Sequence, residues 1–141
     1  MSHPSPGSAD QRHFFRKDER LRSKIAFEYL FEHGSSFRIG VLKFFYIFDL
    51  PNKYINSPLS VAFSAPKRRY RHAVTRNYFK RRMREAFRQN KSNLKEELNK
   101  NGRNLVILMV FSGGSNTQYA QIEKSIVRAL DRLSQKLSND L

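Results

Sequence analysis

Eleven of the 25 residues from Lys67 to Lys91, KRRYRHAVTRNYFKRRMREAFRQNK, are Lys or Arg, and Glu85 is the one acid among them. The segment therefore carries +10 of a net charge of +15. Like charges packed this closely repel one another. A polyanion relieves the repulsion, because each neutralised phosphate releases condensed counterions. Residues suited to bond-making are sparse by comparison. The four histidines, His3, His13, His33 and His72, lie scattered without ligand spacing. Cysteine is absent, so no disulfide framework or thiolate metal site can form. The adjacent acid pairs are Asp18-Glu19 and Glu96-Glu97, a thin supply for two-metal phosphoryl chemistry, which needs carboxylates converging on one point. Gly113-Gly114 follows an apolar run, but no Lys-Ser or Lys-Thr comes after it, and it reads as a turn. The chain offers no catalytic set, and no cofactor or metal bound by the protein alone is expected.

The second half of the basic segment is patterned as a helix. Phe79, Met83, Ala86 and Phe87 recur at spacings of three and four and mark a stripe for a core. Lys80, Arg84 and Arg88 step by four beside it, with Arg81, Arg84 and Arg88 at i, i+3, i+7. A ridge of one sign, with no acids interleaved to form i,i+4 pairs, is expected to face outward. Such a clustered footprint points to nucleic acid rather than to a merely solvated face.

Other elements must hold that ridge. A helix is expected from about Ser23, a candidate N-cap, to His33, with Gly34 as its stop. Ile25, Ala26, Tyr29 and Leu30 form one apolar side. Phe27 and Phe31, four apart, form another. Either both sides are buried, or the two rings make a shelf for unstacked bases, where stacking is worth about 1–3 kcal/mol per base. Phe37–Phe48 reads as one strand from its aromatic and β-branched density. Its Val41, Lys43, Phe45 and Ile47 share a face, of which Lys43 and Phe45 suit a partly open surface. After a Pro-bounded loop, Leu59–Ser64 reads as a second strand, antiparallel to the first through a hairpin-like connection. The basic loop from Pro66 to Ala73 and the basic helix to about Asn90 follow. A short polar helix is expected over Asn93–Lys100. Leu105–Phe111, LVILMVF, suits a central strand covered on both faces. Thr117 is a candidate cap for a last helix to about Leu137, with Ile122, Ile126, Leu130, Leu133 and Leu137 as its core stripe. The fold expected is α/β (α+β), a two-layer sandwich in which one mixed sheet of about four strands is packed by helices.

A length of 141 residues suits one domain, and 39% hydrophobic with 13% aromatic residues supplies one core. Residues 1–16, rich in Ser, Pro and Gly, read as a tail, leaving 17–141 as the domain. The opening residues lack the apolar stretch of a secretory signal. No apolar run approaches a spanning helix. A cytoplasmic location without membrane association is expected.

The motif AVTRNYFKRRMREAFR resembles the A-V-x-R-N-R-x-K-R-x-x-R signature of the bacterial ribonuclease P protein subunit. In the same order, LRSKIAFEYLFEHG resembles that family's first helix, LSVAFSAPKR the strand leading into the motif, and NLVILMVF its closing strand. The resemblance covers roughly residues 21–136. It implies an RNA-based endonuclease whose RNA subunit holds the catalytic Mg2+ and removes the 5′ leader of precursor tRNA. It also implies a left-handed β-α-β crossover around the basic helix, against the usual right-handed preference. By matching position, Arg76, Asn77, Lys80, Arg81 and Arg84 would contact the RNA subunit. Arg68, Arg69 and Arg88 would join them. Phe27 and Phe31, with Phe45, would line a cleft for the leader. The partners implied are the catalytic RNA, one protein per RNA, and precursor tRNA. The chain departs from the pattern at Tyr78, where Arg is usual, and at Arg71, where Gly is common. The alternative is a general nucleic-acid-binding module for ribosomal RNA or duplex DNA, since the basic helix also has the look of a major-groove reader.

Overall fold

The computed structural model describes residues 19–21 and 23–140. The tail expected over residues 1–16 lies outside them. Helix α1 spans Lys24–His33, strand β1 Ser35–Ile39, β2 Leu42–Phe48, β3 Leu59–Ser64, helix α2 Ala73–Asn90, α3 Ser92–Lys100, strand β4 Leu105–Phe111 and helix α4 Tyr119–Asn139. The sheet order is β1-β2-β4-β3, with β3 parallel to β4 and the other pairs antiparallel.

Two expectations about strands are corrected. The segment read as a single strand is a hairpin, β1–β2, turning at Gly40 and Val41. Gly40 sits at φ +56°, and a Cβ there would come within 2.3 Å of the Ser125 hydroxyl. The turn lacks the Asn-Gly or Asp-Gly pair that marks a hairpin in sequence, so the apolar run reads through it. The second correction concerns β2 and β3, which do not pair. Strand β4 lies between them and bonds to both, antiparallel to β2 and parallel to β3. Its seven apolar residues are the sequence of a strand covered on both faces, and six of them are buried.

One face of the sheet, with Leu42, Phe44, Leu105, Ile107 and Met109, packs on α2, α3 and α4. The basic helix contributes Phe79, Met83, Ala86 and Phe87, all buried as their spacing predicts. Each of the three large side chains, Phe79, Met83 and Phe87, is worth about 1.5–3 kcal/mol when removed from water. That anchoring fixes which way the opposite side of α2 points. The expected stripe of α4 is likewise buried. Its cap is Gln118, whose backbone N–H donates to the Gln121 side chain at 2.8 Å. Thr117 instead donates its hydroxyl to the Gly114 carbonyl, so it shapes the turn before the helix.

The other face carries a smaller cluster in which Ala26 and Leu30 of α1 meet Leu50, Val106 and Leu108. Ser23 caps α1 by accepting from the Ala26 N–H at 3.2 Å. Gly34 ends it, and a Cβ there would lie 2.3 Å from the Leu30 carbonyl. Ile25, expected on the apolar side, is 45% exposed. The segment before α1 runs along the outer edge of β3, where Arg20 bridges Val61 and the Leu21 N–H donates to the Val61 carbonyl. This covers an edge that would otherwise present unpaired backbone groups. Glu19 is fully buried there and pairs with Lys91, also buried, and with Lys95 at 2.9 Å. Lys91, the last cation of the basic segment, is thus turned inward.

Candidate nucleic-acid interface

Helix α2 has a buried stripe, a crest opposite it, and two flanks. The 100° advance per residue places Asn77, Arg81 and Arg88 on the crest. Lys80 and Arg84 fall on the flank toward β3, and Tyr78 and Arg82 on the flank toward α4. Val74 and Asn77 are exposed on the first turns. No acid occupies the first turn of α2 and its N-cap residue His72 makes no side-chain cap, so the partial positive charge at this helix end is not offset there.

The loop before the helix is held by Tyr70. Its buried phenol donates to the Gly113 carbonyl, and its ring lies against Phe111 and Phe79. Burial pushes its hydroxyl pKa up, so the group stays a donor. Arg76 donates from one guanidinium nitrogen to the carbonyls of Tyr70 at 2.9 Å and Arg71 at 3.0 Å. It ties the loop to the first turn of α2. Arg68 and Arg69 are displayed on that loop, both exposed. Arg71, where the resemblance implies Gly, sits in ordinary backbone without a positive φ.

Lys80 and Arg84 border a hollow of about 250 Å³ shared with Arg20, Leu21 and Phe63. The Arg84 guanidinium lies 5.8 Å from the Phe63 ring centroid, and its Nε is enclosed with no hydrogen-bond partner among the described residues. Burial lowers its pKa first, and the neighbouring charges of Arg20 and Arg81 lower it further. Cations crowded against one another in this way gain most when an anion arrives. Among the described residues, Arg68, Arg69, Lys80, Arg81 and Arg84 make no salt bridge to a carboxylate.

Arg88 differs. Glu85, three residues earlier, takes its guanidinium in a two-pronged contact at 2.6 and 3.0 Å. The ridge does therefore carry one internal ion pair, at i,i+3 spacing, where the sequence reading expected none at i,i+4.

Phe27, Phe31 and Phe45 come together on the opposite face of the sheet. Phe27 and Phe31 are near-parallel at 6.5 Å, and Phe45 meets Phe31 edge-on at 5.8 Å. Phe31 is 60% exposed. The choice between burial and display thus falls to display for Phe31, while Phe27 is half-buried. Lys43, which the sequence placed on a partly open face, sits 4.9 Å from the Phe45 centroid. Cross-strand register sets Arg38 opposite Lys43, so the shelf ends in two cations.

Sequence reasoning missed Arg82 and Tyr119. Arg82 carries no periodic mark within a run of arginines. Tyr119 lies on another helix, 41 positions beyond Tyr78 and brought beside it only by the packing of α2 on α4.

No helix among the described residues is long and apolar enough to cross a membrane. The family model described as Ribonuclease P matches residues 15–134. A ribonuclease P protein component from Chlorobium phaeobacteroides is 40% identical over 80 residues, which is 56% of this chain and 55% of that one. A ribonuclease P protein component from Clostridium novyi is 26% identical over 83% of this chain and 95% of its own. Two solved structures share the fold. The RNase P protein of Staphylococcus aureus superposes with TM-score 0.63 at 22% identity, over 83% of this chain and 96% of that one. That of Thermotoga maritima does so with TM-score 0.60 at 20% identity, over 81% and 96%.

Proposed function

This chain belongs to the ribonuclease P protein family, and on that premise we propose that it is the protein subunit of a ribonucleoprotein endoribonuclease in tRNA 5′ maturation. It binds the catalytic RNA subunit, one protein per RNA, and grips the 5′ leader of precursor tRNA. The observation that carries this reading is the set of cations on α2 and its preceding loop that no carboxylate of the described residues neutralises. Arg68, Arg69, Lys80, Arg81 and Arg84 take phosphates of the RNA subunit, and Asn77 adds hydrogen bonds on the same crest. Arg76 acts chiefly by fixing the loop that carries the first two. Arg88 contributes only so far as RNA competes with Glu85.

The protein supplies no reacting group. Among the described residues no group of three or more His, Cys, Asp or Glu is placed to hold a metal. The Mg2+ of the holoenzyme is assigned to the RNA, and the protein's cations offset part of the phosphate repulsion that free Mg2+ otherwise screens. The shelf of Phe27, Phe31 and Phe45 holds a single strand with little regard to sequence, because every base has a π-face. Lys43 and Arg38 steady its phosphates. Recognition of duplex DNA by α2 fits poorly, since the element before it is strand β3 and not the first helix of a helix-turn-helix unit.

The test is reconstitution with the catalytic RNA. Cleavage of precursor tRNA at low magnesium should be faster than with RNA alone, and equal rates would end the assignment. In the same assay Phe31→Ala should weaken binding of precursor tRNA by about 5-fold or more, the low end of base–aromatic stacking, and leave mature tRNA unaffected. Equal loss for both tRNAs would remove the leader role from the shelf.

A further inference from the structure

The flank of α2 that faces α4 holds a second aromatic site. Tyr78, Arg81, Arg82, Glu85, Gln89 and Tyr119 line an open groove of about 470 Å³, within the size range of small-ligand sites. The Arg82 guanidinium stands 4.7 Å from the Tyr78 ring centroid and 5.7 Å from that of Tyr119. Tyr78 is 41% exposed and braced edge-on by Phe79 at 5.1 Å, so its ring is presented to solvent on a fixed support. The Tyr119 hydroxyl is enclosed and has no hydrogen-bond partner among the described residues, an unusual state for a shielded polar group. Burial first, then the carboxylates of Glu123 and Glu85, raise its pKa, so it remains a proton donor.

We propose that this groove binds one unstacked nucleotide of the RNA subunit, its base lying on Tyr78 and Arg82 and its phosphate on Arg81. The proposal rests on the RNA-binding reading above and adds a stacking contact to it.

The charge of the groove selects the occupant. Arg81 and Arg82 bring two cations. Glu85, the acid within it, already accepts from Arg88 and from the Gln89 amide at 2.8 Å, so its charge is largely answered. An acidic or nucleic-acid ligand fits, and the rings favour a planar one. A guanidinium beside an exposed ring extends a flat cationic surface on which a base stacks as readily as on an aromatic ring. Arg81 belongs both to the crest and to the groove, so a strand following the crest reaches the groove without a break. Tyr78 stands where the resemblance implies Arg. The substitution exchanges a charge contact for a stacking one and leaves RNA contact at the position.

The test measures affinity for the catalytic RNA and its salt dependence. Tyr78→Ala should weaken binding about 5- to 150-fold, the range of base–aromatic stacking. Its salt slope should be unchanged, because no cation is lost. Tyr78→Phe should bind as the native protein does. Arg81→Ala should weaken binding and also flatten the slope by about one unit. The chain has no tryptophan, so Tyr78→Trp gives a single reporter. Its emission should be quenched by saturating RNA subunit and unaffected by duplex DNA. Native affinity for Tyr78→Ala, a loss in Tyr78→Phe equal to that in Tyr78→Ala, or unquenched emission would each overturn the nucleotide site. If Arg81→Ala still shows its loss while Tyr78→Ala shows none, the RNA-subunit reading stands and only the stacking site falls. Failure of the native chain to bind the catalytic RNA would remove both.

Discussion

Two arginines on one helix crest, seven residues apart, have different futures on meeting RNA. Arg81 has no carboxylate partner among the described residues, whereas Arg88 is held by Glu85 at 2.6 Å. The Arg88 hydrogen bonds, then the Gln89 amide, lower the Glu85 pKa to about 2. A carboxyl held below its unfolded value contributes above the unfolded value and is lost as pH falls through the folded one. The pair is therefore intact at neutral pH and dissolves only as the solution approaches about pH 2. Both residues of the pair are partly exposed, so its worth to stability is small. Its consequence is for binding. Arg88→Ala should cost less affinity for the RNA subunit than Arg81→Ala, and should change the salt slope by less than the one unit expected for Arg81→Ala. Glu85→Gln, by releasing Arg88, should steepen that slope. Equal slopes for the two alanine variants would show that RNA strips Glu85 from Arg88 at no cost.

At the scale of elements, α2 is fixed at both ends by groups outside its apolar stripe. At its start, Tyr70 and Arg76 bind the basic loop to the β4–α4 turn and to the helix. At its end, buried Lys91 meets buried Glu19, which also takes Lys95. That pairing anchors the segment along the β3 edge beneath the junction of α2 and α3. Removing one member of a buried pair strands the other charge, typically at a cost of about 3–5 kcal/mol. Glu19→Gln should therefore lower stability by about 3 kcal/mol in a denaturant titration. Glu19→Leu combined with Lys91→Met, which removes both fully buried charges together, should recover most of the loss. An unchanged midpoint for Glu19→Gln would show that the pair does not hold the segment. The hairpin at Gly40 is an element of another kind. It places Arg38 beside Lys43 at the end of the phenylalanine shelf, and a single continuous strand would have carried Arg38 away from it.

Over the whole molecule the sheet separates two surfaces. The helix α2 crest and its flanks lie on one side, and the shelf of Phe27, Phe31 and Phe45 on the other. On the proposed function, two RNA contacts of different physics are made at once, one dominated by phosphate charge and one by stacking. Five cations without carboxylate partners, Arg68, Arg69, Lys80, Arg81 and Arg84, predict a plot of log affinity for the RNA subunit against log salt with slope about −4. Precursor tRNA should add to that slope only through Lys43 and Arg38 at the end of the shelf, since its rings carry no charge. A slope near −1 would mean that most of the ridge faces solvent in the complex.

The sequence alone determined the concentration of positive charge, the apolar stripe of α2, the extents of α1, α2 and α4 to within a few residues, and the likeness of its motif to a family. Each is a local property, written in the spacing of residues a few positions apart. Tertiary structure decided the rest. It set β4 between β2 and β3, turned Lys91 inward to Glu19, and brought Tyr119 beside Tyr78 and Arg82. These depend on which distant side chains share one low-dielectric space or one groove, and a chain's periodicity carries no record of that.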